Sequence, residues 1–348
     1  MKNLTREIDL DQILEKVREI LTDEDESLRT VLLREILLNS LKLKSDDLDT
    51  LDLKVINRAS RELRYAFKIF KPYRHIRKCS IFGSARTAAA DPYYAMAVDF
   101  ARLLAQENFM IITGAADGIM KAGNQGAGAD KSFGVNILLP FEQGANEYIV
   151  DDSKLITFKY FFTRKLLFVM ESHAIALFPG GFGTHDEGFE SLTLLQTGRA
   201  SPRPVLLLEL PGETYWERWD HFIRDQLVKR GFVAPEDVSL YEIVHSAERA
   251  VEVVTMFYST YHSYRQVGQN FVIRLEKELP DPALLQLNEQ FSDLLATGKI
   301  ERTNALPEEM NEPELLGKPR IMFAYNHKSG GRLKQMIDQV NIFGRHAS

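Results

Sequence analysis

Cysteine occurs once in the 348 residues, as Cys79. A single thiol excludes an internal disulfide framework and a zinc site built from several thiolates, as expected of a reducing compartment. Cys79 lies in a short apolar run and is predicted to be core packing. Long apolar runs are also missing: no stretch approaches the ~18 apolar residues that a membrane span needs. The opening MKNLTREIDL is charged and is not followed by an uninterrupted apolar segment, so it does not read as a secretory signal. The expectation is a cytoplasmic protein with no membrane partner.

Positive charge is in deficit, with 43 Lys and Arg against 49 Asp and Glu and a formal net charge of -6. That balance provides no basic field of the kind that dominates polynucleotide affinity, so no polynucleotide partner is expected. Small anions can still be held by local sites. The signature G-x-x-x-x-G-K-[ST] is absent, which disfavours P-loop hydrolysis of ATP or GTP. The fingerprint G-x-G-x-x-G is absent too, which argues against a dinucleotide dehydrogenase.

What is present is a 45% hydrophobic composition, enough for a large core and about two domains. Leu10, Ile13, Leu14, Val17, Ile20 and Leu21 recur at helical spacing, followed by Leu28, Val31, Leu32, Leu37 and Leu41. Residues 1–70 are therefore expected to be a helical extension whose apolar stripe packs on the body of the protein or on a second subunit. From Arg77 short apolar runs alternate with helical patterns, the pattern of a parallel sheet with crossover helices. Strands are predicted at Cys79–Phe82, Met110–Thr113, Gly134–Leu138, Ala174–Phe178 and Pro204–Leu208. Helices are predicted at 92–107, 118–129, 161–172 and 184–197, near Tyr215, and at Ala247–Met256; Asp91 caps the first and Pro92 opens it.

Residues 261–348 read as a small α+β module. It has strands Phe271–Leu275 and Ile321–Tyr325, a helix through Leu284, Leu287, Phe291 and Leu294, and a closing helix with Leu333, Met336, Ile337 and Val340 on one face. The polar stretch 301–319, with Pro307, Pro313 and Pro319, is expected to be a long loop. No motif in this module converts into chemistry.

Three glycine-containing segments each follow a predicted strand: Gly83-Ser84-Ala85-Arg86, Gly114-Ala115-Ala116-Asp117-Gly118, and Pro179 to Glu187. In an open parallel sheet the carboxyl ends of the strands form the ligand crevice, so the three loops are expected to converge. Gly180, Gly181 and Gly183 remove side chains where a helix begins near Thr184, leaving backbone N–H groups and a positive helix end suited to a phosphate. Asp186, Glu187 and Glu190 follow in the first two turns. Acidic residues are favoured there for dipole reasons alone. A carboxylate beside an anion site also suits ribose hydroxyls or a developing oxocarbenium ion, as in glycoside hydrolysis. Arg164 and Lys165 lie just before the strand that delivers this run, and from spacing alone such a pair is commonly a solvated helix face. His185 is a candidate proton donor by residue type, but an exposed histidine in a first turn is more often inert.

The run PGGFGTHDE from Pro179 to Glu187 resembles the signature Pro-Gly-Gly-x-Gly-Thr-x-x-Glu of the Lonely Guy (LOG) phosphoribohydrolases. Arg164 stands fifteen positions before Pro179, the spacing of that family's Arg-Lys pair. TGAADGIMKAGNQGA from Thr113 is similar to the family's second glycine loop, and SIFGSAR from Ser80 to its first strand and loop. The similarity runs from about residue 76 to 254, leaving most of the first 70 and the last 90 or so residues outside it.

The resemblance implies a Rossmann-like domain over 71–260, acting as a nucleotide 5'-monophosphate nucleosidase without metal or organic cofactor and forming at least a homodimer. Arg164 and Glu187 would be its catalytic pair. Gly83, Ser84, Gly114, Lys165, Gly180, Gly181, Gly183 and Thr184 would contact substrate or phosphate. Nothing supports the family's older label of lysine decarboxylase, since no lysine sits in a recognisable pyridoxal phosphate setting.

Two departures from the family pattern stand out. Asp117 replaces a glycine-rich position and would repel a nearby phosphate. The phosphate is therefore assigned to Gly180–Thr184, and 114–118 to a wall or a ribose contact. Phe161 takes the usual methionine position, which bears on base preference. The competing functional reading is a nucleotide-binding sensor without turnover, which needs the loop but not the catalytic pair.

Overall fold

The computed structural model describes residues 10–139 and 144–345. Residues 1–9 of the expected helical extension lie outside the described residues. The chain divides into two compact units, Met1–Arg61 and Glu62–Ser348.

In the first unit, α1 (Leu10–Thr22) and α2 (Leu28–Lys42) are joined by a short turn, and α3 (Thr50–Phe70) begins. Ser27 caps α2 by accepting from the Thr30 N–H, and Asp25 in turn accepts from the Ser27 and Thr30 hydroxyls. Arg34 Nε donates to the Ile20 carbonyl at 3.1 Å, tying α2 to the end of α1.

The second unit is built on a seven-stranded parallel sheet. Its strands are β1 (Lys78–Phe82), β2 (Met110–Thr113), β3 (Ser132–Ile137), β4 (Leu155–Phe158), β5 (Ala174–Leu177), β6 (Val205–Leu208) and β7 (Glu242–Val244). Their order is β4-β3-β2-β1-β5-β6-β7, so the winding reverses between β1 and β5. That reversal opens a crevice at the carboxyl ends of those two strands. The crossover helices are α4 (Pro92–Gln106), α5 (Ile119–Ala127), α6 (Phe161–Glu171), α7 (Phe182–Gln196), α8 (Tyr215–Phe222) and α9 (Ala247–Phe257). Asp91 caps α4 and Pro92 opens it, as its sequence predicts.

The strands read as continuous apolar runs because both faces of the sheet are covered. Cys79, Ile81, Ile111, Ala174, Ala176 and Leu206 enter one core cluster, while Phe82, Ile112, Ile175, Leu177 and Leu207 enter the other. Cys79 is fully buried, and that burial pushes its thiol pKa upward. Two strands escaped the sequence reading, β4 and β7. Both are edge strands of four residues or fewer, too short for an apolar run to stand out.

Beyond α9, a four-stranded antiparallel sheet has the order β10-β11-β9-β8. It comprises β8 (Tyr261–Val267), β9 (Asn270–Leu275), β10 (Leu295–Thr303) and β11 (Arg320–Tyr325), with α10 (Asp281–Gln290) and α11 (Gly330–Arg345). The expected strands β9 and β11 are there. The polar strand β8 and the exposed, bulged strand β10 carry too few apolar residues to be read from periodicity. Phe271, Ile273, Ile321, Phe323, Met336 and Val340 join the same core cluster as Cys79 and Ile81, so this sheet and one face of the parallel sheet share an interior.

The stretch 301–319, expected to be a long loop, instead gives residues 301–303 to β10 and holds two short 3-10 turns, Pro307–Glu309 and Pro313–Leu315, and it is fixed from within. Glu309 is 0% exposed and bonds to Arg274, Arg320 and the Leu306 N–H. Among the described residues no helix is long and apolar enough to cross a membrane.

Candidate active site

The three glycine-containing loops meet through backbone contacts at the crevice. The Ser84 N–H donates to the Pro179 carbonyl at 3.1 Å, and the Ser84 carbonyl accepts from the Ile119 N–H at 3.1 Å. Ser84 is thus a strut between the loops after β1, β2 and β5. Gly118 carries φ +64, and a Cβ there would stand 2.2 Å from the Ser84 oxygen. Only glycine fits that position, for backbone conformation and for space together.

The glycines of the proposed site fall into two groups. A Cβ on Gly83 would meet Ile119 at 2.7 Å, one on Gly114 would meet Arg164 Nη2 at 2.6 Å, and one on Gly180 would meet Thr184 Oγ1 at 2.1 Å. These three make room for neighbouring protein. Gly181 and Gly183 have nothing within 4 Å of such an atom, so their faces are open. The helix α7 starts at Phe182 with Gly181 as its cap, two residues earlier than the sequence suggested. Gly183 and Thr184 therefore belong to its first turn. The Phe182 and Gly183 N–H groups have no intrahelical carbonyl to bond, whereas the Thr184 N–H turns back to Gly181.

Arg164 projects from the first turn of α6. Its Nε donates to the Val135 carbonyl at 2.9 Å, its guanidinium lies 5.2 Å from the Phe168 ring centroid, and it fills the space left by Gly114. The helix that carries it is anchored by Glu62, a buried residue invisible to motif reading. Glu62 accepts from the Lys159 N–H at 2.8 Å and from the Thr163 hydroxyl at 2.7 Å.

Glu187 is 8% exposed. Burial raises its carboxyl pKa above the ordinary value, opposed by the charges of Lys165 and Arg164 and reinforced by those of Glu190 and Asp186. Lys165, expected to contact substrate, has its Nζ 2.6 Å from Glu190, 3.0 Å from Asp186 and 3.5 Å from Glu187. It presents an acid-neutralised face rather than a free cation.

His185 is not the exposed side chain its position suggested. It is half-buried, stacks on Tyr215 at 5.9 Å between centroids, and lies 2.8 Å from the Tyr215 hydroxyl. That hydroxyl donates to the Gly180 carbonyl at 2.5 Å and accepts from the Gly180 N–H at 3.4 Å. With the tyrosine proton on Gly180, His185 is left as donor through Nε2. Burial holds its pKa below the ordinary histidine value, which keeps the ring neutral.

Tyr215 and the second-loop brace of Asn124 and Asn146 were missed by sequence reasoning. Asn146 Nδ2 donates to the Ala115 and Ala116 carbonyls, each at 3.1 Å, and to Asn124 Oδ1 at 3.0 Å. The only signal for Asn124 was its place in the run after Thr113, and Tyr215 and Asn146 lie in no motif. Asp117 points outward as an exposed side chain.

Comparison with known proteins adds three findings. Residues 112–254 match the family described as "Possible lysine decarboxylase". Over 110 residues the chain is 36% identical to the "Probable cytokinin riboside 5'-monophosphate phosphoribohydrolase" of Oryza sativa subsp. japonica, covering 31% of this chain and 49% of that one. The chain thus spans about half the length of the curated relative it matches. Among solved structures, the molybdenum cofactor binding protein of Rippkaea orientalis is 19% identical, covering 52% of this chain and 94% of its own, with a TM-score of 0.35. The Moco carrier protein of Chlamydomonas reinhardtii is 17% identical, covering 52% and 96%, with a TM-score of 0.37. Over residues 112–254 the chain is thus similar to the family described as "Possible lysine decarboxylase", and its curated relative is a phosphoribohydrolase of the kind that its glycine signature resembles.

Proposed function

We propose that this chain hydrolyses the N-glycosidic bond of nucleoside 5'-monophosphates to a free base and ribose 5-phosphate, with Arg164 and Glu187 as its catalytic pair. The observation that carries the reading is Glu187 itself: a buried carboxylate, made costly by desolvation, set one turn below the open amino end of α7 and within the field of Arg164. A charge held in that position needs a compensating task. The family match over residues 112–254 and the relative's printed activity support the same reading.

In the proposed reaction the phosphate lies on the open Gly181–Gly183 segment, where free N–H groups and the helix dipole favour an anion. The C1'–N bond breaks with oxocarbenium character, and Glu187 stabilises the positive charge as it forms. Water adds its oxygen to C1', and its protons are divided between the new hydroxyl and the departing base. Arg164 aids the anionic substrate and is seated by Val135, Phe168 and the space at Gly114. Gly83, Gly114 and Ser84 shape the crevice, Gly180 and Thr184 set the turn, and Lys165 holds the acidic face of α7 in place. We further infer a homodimer, because Phe161, Phe162, Leu166, Met170 and Phe182 leave exposed apolar surface around this site, Phe182 at 95%.

The test is a panel of purine and pyrimidine nucleosides and their 5'-monophosphates, with free base separated chromatographically. The glycine segment contributes binding only when a phosphate is present, so kcat/KM for a monophosphate should exceed that of its nucleoside by a factor on the order of 10². Equal values would overturn the assignment.

A further inference from the structure

Arginine is the side chain least able to lose its charge, and burying it without a carboxylate is costly. Arg203 is 7% exposed, set between Pro202 and Pro204 just before β6. Its Nε donates to the Ser201 carbonyl at 3.0 Å, and Nη1 donates to the carbonyls of Val169, at 2.7 Å, and Ser172. Val169 and Ser172 end α6, so part of the charge is met by the negative end of that helix. Among the described residues, however, Arg203 has no carboxylate within ion-pair distance, and its Nη2 donates no hydrogen bond. That nitrogen is not sealed in the core. Arg203 belongs to the lining of a cavity of about 770 Å³.

The cavity stands at the opposite end of the sheet from the glycine loops. Arg77 and His173 immediately precede β1 and β5, and Arg203 stands two residues before β6, so they mark the amino ends of the strands, and β8 of the antiparallel sheet supplies the facing wall. Three arginines, Arg74, Arg77 and Arg203, line it against two carboxylates, Glu276 and Glu314. Glu276 is shared between Lys318 at 2.6 Å and Arg77 at 3.7 Å, so that with Lys318 counted beside the lining four cations face two carboxylates, an excess of two positive charges. Arg77 is held 4.1 Å over the Tyr258 ring, with its guanidinium directed by packing rather than swinging free. His173 and His262 are kept neutral, pulled down to about 3 and about 4 by burial first and by surrounding cations next. They and Ser263 add polar atoms to the wall without adding charge.

We propose that this cavity is a second, separate anion site that binds the phosphate dianion of a small metabolite, with Arg203 and Arg77 as its principal donors. A dianion matches the charge excess, and a phosphate monoester is close to doubly charged at neutral pH because its second pKa is about 6. Guanidinium donors match phosphate oxygens in geometry as well as charge. The inference is independent of the reading of the glycine loops, because the two sites share no residue.

Equilibrium dialysis with inorganic phosphate tests it on the full chain, using two variants that act on one site each. Gly183→Asp places a carboxylate in the open first turn of α7, and Arg77→Gln removes a cavity cation from a half-buried position. The expected result is a phosphate-binding class that survives Gly183→Asp and loses affinity by about tenfold or more in Arg77→Gln. Arg203→Gln should abolish it, with thermal unfolding to check that this more buried variant still folds. If every bound phosphate is lost with Gly183→Asp, or if Arg77→Gln leaves binding unchanged, the cavity proposal is overturned whatever becomes of the nucleosidase reading. If only the cavity class is found, the proposal stands and the loop assignment fails. Competition by ribose 5-phosphate then names the source: displacement identifies a sugar phosphate, and its absence identifies the free ion.

Discussion

Gly114→Ala is the most discriminating perturbation of the candidate active site, because it moves the proposed catalytic arginine without touching it. The added Cβ would stand 2.6 Å from Arg164 Nη2 and 2.7 Å from Met120 Sδ. Heavy atoms in comfortable contact stand ~3.5 Å apart, so the guanidinium must withdraw by roughly 1 Å. Both obstructing atoms are the far ends of flexible side chains, and Gly114 is not among the glycines with left-handed backbone. The fold should therefore tolerate the change. Alanine also restricts the unfolded chain, which is worth ~0.4–1 kcal/mol where the native backbone allows it and offsets much of the local strain. Catalysis should not tolerate it, since a displacement of ~1 Å in a positioning group can reduce the rate about 10²-fold. The assay is kcat and KM on a nucleoside monophosphate beside a thermal unfolding curve, with Arg164→Ala as reference. Wild-type kcat in Gly114→Ala, while Arg164→Ala is inactive, would refute the claim that the empty space at Gly114 seats the arginine.

Glu187→Gln should bind a monophosphate about as well as the wild type while kcat falls by a factor on the order of 10² or more, since the charge acts mainly on the transition state. Unchanged turnover in folded protein would sink the mechanism and leave the sensor reading. The same variant has a pH signature. A raised carboxyl pKa means the folded state keeps its proton longer than the unfolded one, so the wild type loses stability as pH rises from the ordinary carboxylate value through the raised one. Glu187→Gln should thus unfold at a higher temperature than the wild type near pH 7, and the gap should close in acid; a gap independent of pH would contradict this. Glu309→Ala should destabilise by about 3–5 kcal/mol in denaturant titration, because it leaves Arg274 and Arg320 buried without their shared carboxylate; a loss below about 1 kcal/mol would show that Glu312 compensates. Light scattering should report at least a dimer, and an active monomer at working concentration would contradict the inferred assembly.

How much of this was legible in the sequence follows from the range over which each feature is encoded. The parallel strands and crossover helices could be read from local periodicity, because a strand covered on both faces must be apolar throughout and a helix opened by Asp91 and Pro92 announces its start. The short edge strands β4 and β7 and the polar strands β8 and β10 could not, since partners distant in sequence hold them in place. The convergence of the loops bearing Gly83, Gly114 and Gly180 followed from topology, whereas the different task of each glycine did not. Spacing marks where a side chain is missing. Only the fold reveals whether Ile119, Arg164, Thr184 or open space takes its place.

The same division runs through the charged groups. The sequence by itself determined that Arg164, Lys165 and Glu187 stand at fixed intervals around a strand, and hence near one another at its carboxyl end. The tertiary structure decided that Lys165 is neutralised by three carboxylates and that His185 is turned inward onto Tyr215. It also decided that Arg203, unremarkable between two prolines, is a buried cation facing a cavity. The reason is physical: residue type fixes what a group can donate, accept or carry, but its electrostatic state depends on desolvation and on neighbours brought in by the fold.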